Sequence, residues 1–200
     1  MNRLLFAFLI TLVAFGVSAE DANPYRVSTS VVRQGDVFLI QASYLTPLGA
    51  CEAYRYLTDY EAAKKVPGVL DSKILKRIGD KTTVERWAQE RILFININLH
   101  TVLEYREVPF QKTEFVQITG DSKQFTGQWE VEPNRDAIYP VKIKYTGVLE
   151  PNSVLPMFVL EYFIKNNLNE RFQIMAKFAA EKRAAVFARS EEHTSELSHI

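Results

Sequence analysis

The 200-residue sequence has one cysteine, three histidines and no excess of charge of either sign. The cysteine, Cys51, cannot form an internal disulfide and has no histidine near it in sequence with which to hold a metal. It is most simply a small buried residue of a helix. The 24 basic and 24 acidic residues balance, so the basic footprint that nucleic acid requires is missing. The composition thus argues against a disulfide framework, a metal site and a nucleic-acid partner, and we expect no cofactor.

Long apolar runs are limited to one segment near the amino terminus. Leu4 to Phe15 is an apolar run that follows the positively charged Arg3. Residues 17–19 have small side chains at the positions that signal peptidase recognises for cleavage. The run is short for a membrane span. We therefore expect residues 1–19 to be a signal peptide and the protein to be exported, most simply to a bacterial periplasm. An uncleaved anchor is the alternative.

The carboxyl-terminal stretch differs from the rest of the chain. It contains RSEEHTSEL, which resembles the conceptual translation of a common sequencing adapter. Residues 189–200 are therefore predicted to be a non-native or disordered tail, which sets aside His193 and His199. Residues 20–35 are polar and are predicted to be a leader. The folded part is then a single domain over residues 36–188.

Alternation of apolar and polar residues predicts about seven β-strands. The first covers Val37 to Tyr44, and about six more follow in an antiparallel meander from Val69 onwards. Two short helices are predicted between the first and second strands. Thr46 is the expected cap of the first of them, and the dipeptide at Pro67 ends the second.

The stretch from Ser153 to Arg183 predicts one long helix. A long helix with an apolar stripe, following a run of strands, needs a sheet to lie on. We therefore expect an α+β fold in which a curved antiparallel sheet of about seven strands wraps the carboxyl-terminal helix. The residues of the stripe recur in steps of three and four: Met157, Leu160, Ile164, Leu168, Phe172, Met175 and Ala179.

Several short stretches, in their order and spacing, carry a family likeness. They are YLTP (44–47), AYRYLTDY (53–60), VPGV (66–69), GDSKQFTGQW (120–129) and LP (155–156). Together they resemble the SRPBCC or START-related superfamily, in its polyketide-cyclase-like and coenzyme-Q-binding-like branch. The resemblance implies a helix-grip fold with a deep apolar cavity that usually binds a lipid or another hydrophobic small molecule. Some members of the superfamily are enzymes.

The resemblance and the helix stripe together predict a cavity between the sheet and the long helix. We expect a hydrophobic small molecule or lipid to bind there. The sequence leaves open whether the protein also contacts a membrane surface transiently. The residues expected to line the cavity are Leu99, Leu103, Phe125, Trp129, Ile143 and Tyr145 on the sheet and Met157, Leu160, Ile164 and Phe172 on the helix.

No pattern of residues demands catalysis. An enzyme of the cyclase or dehydratase type would need a polar group deep among apolar ones. The candidates for that group are His100, Glu85, Glu90, Glu104 and Glu114. Strand carboxylates are usually exposed, and the polar strand face around His100 is typical of a solvated or structural position. A third alternative is an envelope protein that binds a partner through the charged side of its short helices or through the sheet edge.

Overall fold

The structure is a computed structural model that describes the backbone of residues 23–92 and 94–197, and side chains as far as residue 185. The predicted signal peptide, residues 1–19, lies outside the described residues. The elements in chain order are β1 (Ser28–Gln34), β2 (Val37–Thr46), α1 (Ala50–Leu57), a 3₁₀ helix (Tyr60–Lys65), β3 (Val69–Ile78), β4 (Lys81–Ile92), β5 (Ile95–Val108), β6 (Lys112–Gly120), β7 (Ser122–Pro133), β8 (Val141–Pro151) and α2 (Met157–Leu197).

The described strands form one antiparallel sheet. Their order is β1-β2-β8-β7-β6-β5-β4-β3, so the chain runs as a meander except where β8 returns to pair with β2. The long helix α2 packs against β1 and β2. The prediction of an α+β, helix-grip fold is confirmed, with eight strands in place of about seven.

The additional strand is β1, which lies in the segment predicted as a polar leader. It pairs in register with β2. Val27 and Val31 are buried in the core, and Arg33 reaches Glu161 of α2 at 3.3 Å. The prediction that residues 20–35 lie outside the domain is therefore wrong for β1, because these contacts make the strand part of the fold.

Both short helices are present, but α1 begins at Ala50, later than predicted. Thr46 is the fully buried last residue of β2 and does not cap the helix. The cap is Gly49, whose N–H donates to the carboxylate of Glu52 at 3.1 Å. Cys51 lies in α1 as predicted, but its side chain is exposed and not buried.

The long helix also differs from its predicted bounds at both ends. It begins at Met157 and not at Ser153, because the carbonyl of Pro156 accepts the first helical N–H groups. It extends to Leu197. The backbone of residues 189–197 is thus helical, although this segment is predicted to be a non-native or disordered tail. The helix contradicts disorder in these residues. Their non-native origin stays a prediction.

The core lies between α2 and the inner face of the sheet. In β8, Val141, Ile143 and Tyr145 are buried while the residues between them are not, as expected for a strand with one buried face. On α2, Leu160 and Phe172 are buried. Because α2 packs on β1 and β2, space remains between the helix and the more distant strands.

Candidate functional site

A cavity of about 810 Å³ lies between α2 and the inner face of the sheet. Every strand except β1 contributes to its wall, together with α1, the 3₁₀ helix and α2. Its volume falls in the range of roughly 300–1,000 Å³ that is usual for small-molecule sites. Exposed residues border it at two rims: Asp59, Lys65, Glu181 and Lys182 at one, and Asp121, Asn152 and Ser153 at the other. The cavity therefore reaches solvent at both places.

The structure places most of the predicted lining residues at this wall. They are Leu99, Leu103, Phe125, Trp129, Tyr145, Leu160, Ile164 and Phe172. Ile143 and Met157 are not among the lining residues. Ile143 is fully buried in the core, and Met157 packs on the edge of the core from the first turn of α2. Both share a face with lining residues but do not border the space.

Aromatic side chains form a continuous part of the wall. The ring of Trp129 lies 4.7 Å from that of Tyr145 and 5.6 Å, in a stacked arrangement, from that of Phe172. On the neighbouring strands, Phe115 and Phe125 meet edge to face at 5.0 Å. These ring distances are those at which aromatic pairs attract one another. The contacts connect β6, β7, β8 and α2 and give the cavity an ordered apolar surface.

A pair of facing glycines makes room for these rings. Gly127 of β7 and Gly147 of β8 lie directly opposite each other. A Cβ on Gly127 would stand 2.7 Å from the ring of Phe115, and one on Gly147 would stand 2.5 Å from the hydroxyl oxygen of Tyr145. The two glycines thus allow the rings to lie close against the sheet.

One ion pair connects α2 to the opposite wall of the cavity. The carboxylate of Glu90 accepts from the guanidinium of Arg171 at 2.5 Å and from the amide of Asn167 at 3.1 Å. The guanidinium also lies against Gly68, where a Cβ would collide with Nη2. Both carboxylate oxygens of Glu90 are therefore occupied, and the helix is held to β4 and to the turn before β3.

A second cation, Arg86 of β4, lies in the wall with a different set of partners. Its Nε donates to Oγ of Ser72 at 3.4 Å, and that hydroxyl donates to the carbonyl of Tyr60 at 2.7 Å. Burial raises the pKa of Tyr145, the neighbouring phenol of Tyr105 raises it further, and the positive charge of Arg86 opposes them. Arg86, Tyr105 and Tyr145 all line the cavity.

The predicted polar candidates are divided between the two faces of the sheet. Arg86 and Ala88 of β4 line the cavity, so the alternate residues Glu85 and Trp87 face outwards. The imidazole of His100 lies tilted against the ring of Trp87, with 4.1 Å between the ring centroids, and its Nε2 lies 3.0 Å from the carboxylate of Glu85. His100 borders the cavity only at its edge, and its side chain belongs to the outer face.

The remaining glutamates follow the same division. Glu104 pairs with Lys81 and Glu114 with Lys112, at partly exposed positions. Of the four predicted carboxylates, only Glu90 lines the cavity.

A carboxylate that the sequence did not single out, Glu107, lies under the short helices. It accepts hydrogen bonds from the hydroxyls of Thr82 at 2.8 Å, Tyr60 at 3.0 Å and Tyr54 at 3.3 Å. Burial, reinforced by the charge of Glu107, raises the pKa of Tyr54 to about 12. These bonds fix α1 and the 3₁₀ helix over the end of the sheet, so Glu107 positions the elements that border the first rim.

The described residues contain no group of three or more His, Cys, Asp or Glu side chains that could hold a metal ion. In the same part of the chain, no helix combines the length and the apolar character needed to cross a membrane.

A family model described as "Polyketide cyclase / dehydrase and lipid transport" matches residues 46–175. The matched stretch begins at the end of β2 and ends within α2, and so includes most of the cavity wall. No curated protein matches the chain.

Several solved structures share the fold. TTHA0849 from Thermus thermophilus superposes with a TM-score of 0.62 at 17% identity, over 74% of this chain and 98% of that one. The STAR-related lipid transfer protein from Xanthomonas axonopodis gives 0.61 at 14% identity, over 80% and 96%. The ZhuI aromatase/cyclase from Streptomyces sp. R1128 gives 0.59 at 12% identity, over 74% and 96%. At these identities the likeness concerns the fold.

Proposed function

Because the chain belongs to the polyketide cyclase / dehydrase and lipid transport family, we propose that it binds a hydrophobic small molecule or lipid between the sheet and α2. On the separate ground of residues 1–19, we also propose that it is exported. The observation that carries the proposal is the cavity of about 810 Å³ with its continuous aromatic and aliphatic wall. The fold is that of hydrophobic-ligand-binding proteins. Its likeness to a lipid transfer protein supports the same assignment.

The apolar wall supplies a driving force of useful size. A ligand that buries roughly 300 Å² of apolar surface gains about 7 kcal/mol before the costs of ordering and lost motion are subtracted. Micromolar affinity needs about 8 kcal/mol net. An apolar body of that size is therefore not sufficient alone, and the ligand needs either a larger buried area or a polar anchor.

Native mass spectrometry tests the proposal directly. The full chain is expressed with export and purified without detergent, and we expect a reproducible added mass that organic extraction removes. Ala88 lines the cavity, so Ala88→Trp fills the space, whereas Gln89→Trp places the same ring on the outer face. The adduct is expected to disappear only in the first variant. An apo mass with no uptake from a lipid extract, or an adduct retained by a folded Ala88→Trp protein, would refute binding in this cavity.

The alternative of a cyclase or dehydratase in the same cavity needs an acid or base that is free to act. His100 faces outwards against Trp87, and both oxygens of Glu90 are bonded to Arg171 and Asn167. The geometry therefore favours binding over proton transfer by these residues. Loss of turnover in His100→Ala with any substrate offered to the protein would reverse this preference.

Export is a further part of the proposal, and the apolar run and small residues of positions 1–19 support it. Cell fractionation followed by intact mass measurement tests it. We expect the protein in the periplasmic fraction with Glu20 as its first residue. A cytoplasmic protein that retains residues 1–19 would contradict export.

We also propose that the rim near Asn152 contacts a lipid bilayer transiently while the ligand is exchanged. Large apolar side chains are exposed beside this rim, with Val154 fully exposed and Phe158 70% exposed. The expected result is co-sedimentation with liposomes that weakens in Phe158→Ser. The control is Ile138→Ser, which changes an exposed residue before the opposite end of β8. Equal binding by both variants would contradict contact at this rim.

A further inference from the structure

Arg86 is distinguished from the other charged residues of the cavity by its lack of a counter-charge. Most charged side chains of the wall are exposed at the rims, and three are not: Arg86, Glu90 and Arg171. Glu90 and Arg171 pair with each other. Within the described residues, no carboxylate pairs with Arg86, so the interior of the cavity carries one uncompensated positive charge.

The position of this guanidinium is fixed by the sheet. Arg86 lies opposite Ser72 of β3 and Thr101 of β5 in the strand register. Its single hydrogen bond in the described structure runs from Nε to Oγ of Ser72. Ser72 is buried, with 3% of its surface exposed, and its hydroxyl donates to the carbonyl of Tyr60. The two terminal nitrogens of the guanidinium make no hydrogen bond to a described residue. They form the edge that binds a carboxylate with two parallel bonds.

An unpaired guanidinium in this setting has a physical cost. A guanidinium charge inside an apolar wall destabilises the protein unless it is paired or hydrogen-bonded. A bound anion would remove that cost. It would also supply the polar anchor that an apolar ligand of moderate size needs for tight binding.

We propose that Arg86 binds the carboxylate of an amphiphilic ligand, whose apolar body lies along Leu99, Leu149 and Ile164 of the same cavity. This inference rests on the proposed binding function and adds the chemical class of the ligand. A carboxylate has one negative charge and matches the single free positive charge of the interior. A phosphate monoester would leave excess negative charge in an apolar wall.

The phenols beside Arg86 suit the same ligand. Burial raises the pKa of Tyr145, so the hydroxyl stays protonated and can donate to an anion. Tyr105, buried on β5, lies tilted against Tyr60 with 4.4 Å between the ring centroids, and its phenol raises the pKa of Tyr145. Both phenols line the same cavity as Arg86, so a ligand held by the guanidinium shares the cavity with two buried hydroxyl groups.

Isothermal titration calorimetry with matched single-chain probes tests the inference. Palmitate and hexadecanol share an apolar chain and differ in the head group, and hexadecyl phosphate tests the other anionic head. We expect the wild-type protein to bind palmitate at least tenfold more tightly than hexadecanol, and more tightly than hexadecyl phosphate. Arg86→Met should lower palmitate affinity roughly tenfold to hundredfold, since a charge-assisted hydrogen bond contributes about 1.5–3 kcal/mol. Hexadecanol affinity should stay within about threefold.

Arg91→Met is the control, because Arg91 is exposed on the outer face of the same strand, and it should change neither affinity. Should Arg86→Met not fold, Arg86→Gln replaces it, and the wild-type comparison of the three probes needs no variant.

Equal binding of palmitate and hexadecanol overturns the inference. Tighter binding of hexadecyl phosphate overturns the carboxylate assignment. Failure of the whole proposed function has a different signature, because no probe would then bind.

Discussion

At the scale of single residues, small side chains decide where the large ones of the cavity lie. A glycine inside a strand usually marks a bend or a close approach of another backbone. The structure supplies a more specific reason, since Gly127 faces Gly147 across the β7–β8 pair and each lies under an aromatic residue of the wall. A Cβ at position 127 would also collide with the carbonyl oxygen of Thr146. Because part of that contact is backbone, rotation of a side chain cannot relieve it.

Gly127→Ala is therefore expected to destabilise the protein. The added methyl group must displace the ring of Phe115 and the β8 backbone together, and overpacking of this kind costs about 1–3 kcal/mol. Urea unfolding followed by circular dichroism measures the change. Thr126→Ala is the control, since its side chain lies on the other face of the same strand, and a loss of stability in it as large as in Gly127→Ala would show that the ring contact is not the cause.

At the scale of elements, the sequence predicted well those segments whose pattern depends on one buried face. The alternation in β7 and β8 and the stripe of α2 each reflect burial against the core, and all three elements are found. The strand β1 escaped prediction because an edge strand needs few apolar residues. Only Val31 of β1 is buried, and one buried residue among polar ones does not produce a recognisable period.

The polar part of the cavity could not be predicted for a different reason. Glu90 and Arg171 stand 81 positions apart, and nothing in a single sequence connects them. The sequence did indicate that Asn167 and Arg171 lie close together. They are four residues apart, so they share a side of the helix, and each directly precedes a residue of the apolar stripe. Arg86 lies in β4, where apolar and polar residues do not alternate regularly, so the pattern does not show which of its side chains face the cavity.

The contribution of β1 can be tested by comparing its two adjacent valines. Val31 is 7% exposed and Val32 is 51% exposed, although both have the same shape and belong to the same edge strand. Val31→Ala should lower the free energy of unfolding by about 2 kcal/mol, through the loss of buried methyl groups and the cavity left behind. Val32→Ala should change it by less than about 0.5 kcal/mol. Chemical denaturation of both proteins gives the values, and equal effects would mean that β1 is not packed on the core.

At the scale of the whole molecule, tyrosine hydroxyls connect separate parts of the fold. Tyr56 of α1 donates to the carbonyl of Met175 in α2 at 2.9 Å. Tyr54 and Tyr60 donate to Glu107 of β5. The hydroxyl of Tyr44 is completely buried and has no hydrogen-bond partner in the described structure. The short helices, the sheet and the long helix are thus joined in part by phenols that must keep their protons.

This arrangement predicts a loss of stability at alkaline pH. Burial raises the pKa of Tyr44, Tyr54, Tyr56, Tyr60 and Tyr145 above the ordinary value of 10.0, and Tyr54 reaches about 12. A pKa that is raised in the folded protein means that the unfolded chain releases its protons first. The stabilisation is therefore complete below about pH 10 and is lost as the pH rises towards 12 and beyond, by up to about 1.4 kcal/mol per pH unit for each fully buried tyrosine.

Two measurements check this expectation. Urea midpoints at pH 8 and pH 11 should differ strongly in the wild-type protein and less in Tyr54→Phe, which removes one of the shifted groups. Tyr162→Phe is the control, because that residue is 63% exposed on α2 and should leave the pH dependence unchanged. Absorbance at about 295 nm follows phenolate formation directly. Titration of all nine tyrosines in one step near pH 10 without unfolding would contradict the prediction, since buried phenols should ionise only as the fold opens.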